Sequence, residues 1–312
     1  LVKWQKFMDE AKKLHVIPII RLASEGDYFN TKVWRKPNFI DIIDFANFLN
    51  SLNWPIQNRY VIVFNEPNRG DEWGGGASPS EYANILNYAV SVFKSKSQDF
   101  FIISAGLDNA AANDGQNAFD EFHFLKAMNE AVPGIFNQID GLSSHSYPNP
   151  AFSQPPNQKP QGVSSFKFER ALIKELGARD LPVFITETGW SKDRVSDYII
   201  SLYYKDVFAF IWADSAIVAV TPFLLSANAG PFTAFSLIQS DGTETVQYKV
   251  LKSLSKITGV PNLAAQPQIT ASQNTPKSVL GTRNFSNHKT TIENTFTEIS
   301  AFKALLKWLM KW

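Results

Sequence analysis

Short runs of consecutive apolar residues recur along the chain, at 16–22, 60–64, 101–104, 139–144, 181–186 and 217–225. They are continuous rather than alternating, which is the pattern of strands buried on both faces. Between them the apolar positions fall at helical spacing. Phe39, Ile42, Ile43, Ala46 and Leu49 follow Pro37. Tyr82, Ile85, Leu86 and Ala89 follow Ser78-Pro79-Ser80-Glu81, which reads as a capping box with proline at the first helical position. Further helices are predicted at 2–14, 122–131, 163–176 (closed by Gly177), 196–210 and 245–254. Strand and helix alternate at roughly 35–45 residues per unit, which predicts a parallel sheet.

No linker composition interrupts the chain before residue 258, so 1–258 reads as one domain. The remainder, 259–312, differs. Residues 260–292 are rich in Pro, Asn, Gln, Ser and Thr, as a surface strap or a disordered tail would be. Residues 298–312 turn apolar, with Lys303, Lys307 and Lys311 four apart. That pattern suits an amphipathic helix, docked on the main domain or lying at an interface.

Composition narrows the chemistry. The 312 residues are 44% hydrophobic, enough for one large core. A net charge of +1 offers no electrostatic grip on nucleic acid. There is no cysteine, which excludes disulfides and thiolate metal sites and leaves the compartment open. No apolar run reaches the ~18 residues of a membrane span. The chain opens on Leu1 without a signal-peptide pattern. His15, His123, His145 and His288 show no metal-binding spacing, and neither a nucleophile elbow nor a phosphate loop is present. No metal or cofactor is expected. Asn284-Phe285-Ser286 is a formal glycosylation sequon.

One of the apolar runs ends oddly. In "RYVIVFNEPN", residues 59–68, four apolar residues run into an amide, an acid and a helix-breaker. In a parallel barrel the chemistry sits at the C-terminal ends of the strands, and Glu66 lies at such an end. Glu187 does too, in "LPVFITETGW", three strand–helix units further on. A glutamate there stands beside low-dielectric walls that shift its pKa. Cleavage of a glycosidic bond needs two such acids, one protonated and one ionised.

"VFNEPN" and "FITETGWS" resemble strands four and seven of the clan-A glycoside hydrolases, retaining (β/α)8-barrel enzymes. "LSSHSYPNP" at 142–150 is similar to strand six, and residues 220–242 to strand eight with its loop. The resemblance covers 15 to about 257. It implies Glu66 as general acid/base, Glu187 as nucleophile and Asn65 as the partner of the sugar 2-hydroxyl. It also implies an oligo- or polysaccharide substrate, and an extracellular or cell-surface setting. Pro67 then ends the strand so that Asn65 and Glu66 emerge together at the barrel mouth.

The neighbours of these residues fit a sugar site. His145 and Tyr147 stand two apart, so an extended strand end aims both to one side, where the tyrosine hydroxyl can donate to Glu187. Arg21 ends an apolar strand and needs a partner, which a mouth carboxylate such as Glu66 or Glu187, or a salt bridge within the barrel, would supply. Trp190 and Trp73 offer flat faces to sugar C–H groups, Trp73 from the loop "DEWGGG". Trp34 and Tyr28 are lesser candidates of the same kind. The negative charge of Glu187 is expected to raise the Glu66 pKa.

Two features depart from the resemblance. If Glu66 ends strand four, the first two strands and the helix between them are absent, ~50 residues of the ~250 in a full barrel. The expected architecture is thus a TIM-type barrel with six readable strands. Its open edge calls for cover, either from the tail or by self-association of two chains. In strand eight, Phe223-Leu224-Leu225-Ser226 stands where many clan-A enzymes carry a tryptophan. An alternative reading is therefore a carbohydrate-binding pseudoenzyme without turnover.

Overall fold

The computed structural model describes residues 1–26 and 32–255. Six parallel strands follow one another in chain order. These are β1 (Ile19–Arg21), β2 (Arg59–Ile62), β3 (Phe100–Ile103), β4 (Leu142–His145), β5 (Val183–Glu187) and β6 (Ile217–Val220). Pairing runs β1-β2-β3 and β4-β5-β6, and single parallel bridges, Ile103 to Gly141 and Asp108 to His145, join the two halves. Among the described residues no pairing joins β6 back to β1, so the barrel is not closed, and no strand precedes β1. The predicted strands are all present, each shorter than its apolar run except β3, which matches its run in length one residue earlier. β2, β3 and β4 are buried almost throughout, while β1 and β6, at the two ends of the row, are only partly covered.

Helices follow the strands. They are α1 (Val2–Lys13), α2 (Phe39–Asn50), α3 (Pro79–Lys96), α4 (Glu121–Ala131), α5 (Ile135–Gln138), α6 (Ser165–Glu175), α7 (Asp197–Asp206) and α8 (Val246–Ser253). Local chemistry explains their starts. Asn38 caps α2 through a full capping box with Asp41. Ser78 caps α3, but Glu81 does not return the bond. Its carboxylate is drawn off by Lys36 at 2.6 Å. A single π-helical turn, Val207–Ile211, continues α7 where a longer helix was predicted. The short α5 has no counterpart in the sequence reading.

Strand alternation divides the core in two. Tyr60, Ile62, Phe101, Ile103 and Phe184 point inward and meet Ile19, Val218 and Ala219. The rings of Tyr60 and Phe101 lie 5.0 Å apart, and those of Phe101 and Phe184 5.7 Å apart. Gly141 makes room for them, since a Cβ there would stand 2.9 Å from Phe184 and 3.0 Å from Phe101. The other face, including Val61, Val63, Phe100 and Ile102, packs outward against the helices. Among the described residues no helix is long and apolar enough to cross a membrane. The strap and terminal helix expected at 259–312 lie outside the described residues, as does Tyr28.

Candidate active site

The turn after β2 is strained. Phe64 has φ +67° and Glu66 φ +36°, a region that side-chain-bearing residues avoid at a cost of about 1–3 kcal/mol each. The surroundings hold it there. Phe64 is buried against Phe45 and Trp73, and Glu66 N–H donates to Gly106 O at 3.1 Å. Asn68, fully buried, donates from Nδ2 to Asp108 O and Phe119 O, both at 3.0 Å, and accepts from Asp108 N–H at 3.0 Å. The proline after Glu66 therefore accounts for only part of the turn.

The strand ends bring the acids together. One oxygen each of Glu66 and Glu187 and a ring nitrogen of His145 lie within 4.8 Å of one another. His145 Nδ1 is 2.8 Å from Glu66 Oε1 and 3.8 Å from Glu187 Oε2. It reaches them because β4 slips register between Ser144 and His145, which sets His145 opposite Glu187; such irregularities re-aim side chains at strand ends. Gly106 leaves the space, since a Cβ at that position would overlap the His145 ring. Tyr147 donates its hydroxyl to Glu187 Oε2 at 3.1 Å. Arg21 Nη1 donates to Asn65 Oδ1 at 2.6 Å and to Glu187 Oε1 at 2.7 Å. With its carbonyl oxygen engaged, Asn65 keeps the NH2 end of its amide for the cleft.

The expected upward shift of Glu66 is not found. Burial does push this carboxyl up, but the hydrogen bond and charge of His145, then Arg69 and Arg21, outweigh burial and hold it below its ordinary value. His145 moves the opposite way. Burial lowers it, but Glu187 and Glu66 raise it further. Glu66 and His145 thus form a buried pair that shares one proton. Arg69 Nη1 donates to Glu66 Oε2 at 3.0 Å, and its other nitrogens to Asp71. The outer oxygens of the cluster are therefore already met by two guanidiniums, an arrangement unsuited to a metal cation.

The aromatic residues are placed differently from expectation. Trp73 is 1% exposed, wedged against Phe64 and Tyr82, with Nε1 on Glu81. Trp190 is 2% exposed, packed on Tyr203 and Tyr204, with Nε1 on Gln154 O at 2.8 Å. Neither offers a face to a ligand, because each ring completes the core beneath its loop. Trp34 instead lines the cleft beside Arg21 and Asn65. Phe223, the first residue of the Phe223-Leu224-Leu225-Ser226 stretch, lies 6.3 Å from the Tyr147 ring. Sequence reasoning missed Arg69, Gly106 and Glu72. Arg69 follows Glu66 by three residues, a spacing that could have revealed it; Gly106 carried no signal.

No protein-family model matches the sequence, nor does any curated protein. Solved structures do. A monomeric β-xylosidase from Caulobacter crescentus superposes with TM-score 0.60 at 14% identity, covering 82% of this chain and 57% of that one. A family 39 glycoside hydrolase from Bacteroides cellulosilyticus gives 0.54 at 17% identity, covering 79% and 52%. The α-L-arabinofuranosidase of Thermotoga maritima gives 0.53 at 15% identity, covering 80% and 51%. What these share with the chain is the fold. The chain spans little more than half the length of each.

Proposed function

We propose that the protein is a glycoside hydrolase that cleaves β-glycosidic bonds with retention, through double displacement. The single observation that carries the reading is the approach of the two strand-end carboxylates to within 4.8 Å. That is close to the ~5–5.5 Å of retaining enzymes and short of the ~6.5–9.5 Å that inversion needs for a water.

In this reading Glu187 attacks the anomeric carbon. Arg21 and Tyr147, one on each oxygen, hold it aimed. The bond to the leaving oxygen breaks as that oxygen takes a proton from the Glu66–His145 pair. His145 feeds the proton across 2.8 Å to Glu66, which delivers it to the leaving oxygen. Glu66 then takes a proton from the water that displaces the sugar from Glu187, and the pair is reloaded. Asn65 binds the 2-hydroxyl, where the bond tightens in the transition state.

The structural likeness to a β-xylosidase makes aryl β-xylosides the first substrates to try, followed by gluco-, galacto- and manno-configured ones. NMR of the first-formed sugar is expected to give the β-anomer, and Glu187→Ala to abolish turnover. An α-anomer formed first, or activity that survives Glu187→Ala, would overturn the proposal. A binding protein without turnover is the competing reading. What favours it is the low set of Glu66, with both oxygens engaged. Oligosaccharide binding with no hydrolysis across the panel would decide for it.

A further inference from the structure

Glu72 takes no part in that mechanism. It closes the 3-10 turn Gly70–Glu72, six residues past Glu66, and stands half-buried at the mouth. With Arg21, Ser24, Trp34, Phe64 and Asn65 it lines a narrow cleft, open in part to solvent. Two of those residues, Arg21 and Asn65, belong to the cluster that holds Glu187. The cleft therefore borders the reaction centre. No hydrogen bond from a described residue reaches the Glu72 carboxyl.

Trp34 is fixed beside it. Its N–H donates to Asp71 O at 2.7 Å, and its carbonyl accepts from Gly74 N–H at 2.9 Å. Gly26 lies against the indole so tightly that a Cβ there would stand 2.8 Å from a ring carbon. The loop after β1 and the loop after β2 are laced together at this point, and a flat apolar ring and a carboxyl line the same cleft. A carboxylate without donors is costly where water is partly excluded, and the hydroxyls of a sugar would supply them. An indole offers what the C–H face of the same ring needs.

We infer that Glu72 and Trp34 form a sugar-binding subsite beside the reaction centre, in which the Glu72 carboxylate accepts hydrogen bonds from hydroxyls of a ring packed on Trp34. The inference rests on the glycosidase reading, which supplies the class of ligand. The charged groups around Glu72 give it a pH signature. Burial first, then Glu66 and Asp71, push its carboxyl up to about 7, against the pull of Arg21 and Arg69. As the pH falls through that value the carboxylate is protonated and one acceptor is lost, so binding weakens.

The test is calorimetric binding of xylo-, cello- and manno-oligosaccharides to the full chain carrying Glu187→Ala, which prevents turnover. Glu72→Ala added to it should weaken binding at least about tenfold, as loss of a charged hydrogen-bond partner does. Trp34→Ala should weaken it too. Without Glu72 changes, binding should be tighter at pH 8 than at pH 6, and Glu72→Gln, which keeps the shape, should remove that difference. Affinities left at the parent's value by both Glu72→Ala and Glu72→Gln, each verified as folded by thermal unfolding, would overturn the subsite and leave the hydrolase proposal standing. If the intact chain neither binds nor cleaves any of these sugars, both fall together.

Discussion

His145 Nδ1 lies 2.8 Å from Glu66 Oε1, joining residues 79 positions apart in the chain. Each changes the other. The histidine holds the carboxyl low, and the carboxyl helps hold the imidazole high. In the proposed mechanism the proton delivered to the leaving group belongs to the pair, not to Glu66 by itself.

His145→Gln should lower kcat/KM by about 10²–10⁴, the usual worth of a positioned proton donor. In the native pair the last proton leaves above the ordinary histidine value, because His145 is raised. The glutamine variant can hold no such proton, so the alkaline limb of the pH–rate profile should move to lower pH. An unmoved limb would mean the pair is not the proton source.

Gly106→Ala should reproduce much of that loss without touching an ionisable group. The added methyl would overlap the His145 ring, which is 2% exposed and has nowhere to retreat. Overpacking of this kind costs about 1–3 kcal/mol. Urea unfolding should show the destabilisation and steady-state kinetics the drop in kcat/KM. Normal activity in a less stable protein would mean that the ring can shift without cost to the chemistry.

Arg21→Lys should be nearly as damaging as Arg21→Met. A single guanidinium nitrogen bridges Asn65 and Glu187 at 2.6 and 2.7 Å, and an ammonium on a flexible stem cannot reproduce that geometry. Misplacing both groups should cost about 10²-fold in kcat/KM. Recovery of most of the activity by lysine would show that charge matters here and geometry does not.

Stability should fall as pH rises, and Glu169 is the reason. It is enclosed behind β4, where Ser144 Oγ donates to it at 2.7 Å, and burial pushes its carboxyl from 4.5 up to about 7. Glu121 is also raised, by burial and then by Glu169, and its Oε1 has no hydrogen-bond partner. An acid whose folded pKa is raised favours the native state while protonated. Its contribution is complete below pH 4.5 and is lost as the pH climbs through 7. The change amounts to roughly 3 kcal/mol. Tm should drop between pH 5 and pH 8, and Glu169→Gln should flatten the drop. The same slope in the variant would place the effect elsewhere.

The chain should self-associate. β1 pairs on one side only among the described residues, and Leu14, Val16 and Ile17 beside it are 69, 53 and 38% exposed. An unpaired edge flanked by apolar residues invites a second copy. Light scattering on the 312-residue chain checks this. A monomer at all concentrations, binding no hydrophobic dye, would refute it.

The sequence by itself determined the six strands, most of the helices and the positions of Glu66 and Glu187. Continuous apolar runs, the Ser78 cap and acids at strand ends act within a few residues of chain, so their message survives without the fold. The tertiary structure decided what depends on distant neighbours. Trp73 and Trp190 carry the same flat rings as Trp34, yet only Trp34 lines the cleft, because burial is set by elements the local sequence does not mention. The sign of the Glu66 shift depended on which of several opposing effects prevailed, and His145 and Arg69 outweighed burial only once their distances were fixed. Gly106 matters solely because a histidine ring from β4 occupies its missing side chain. Spacing along a chain encodes periodicity; close packing between residues tens of positions apart has no such periodic trace.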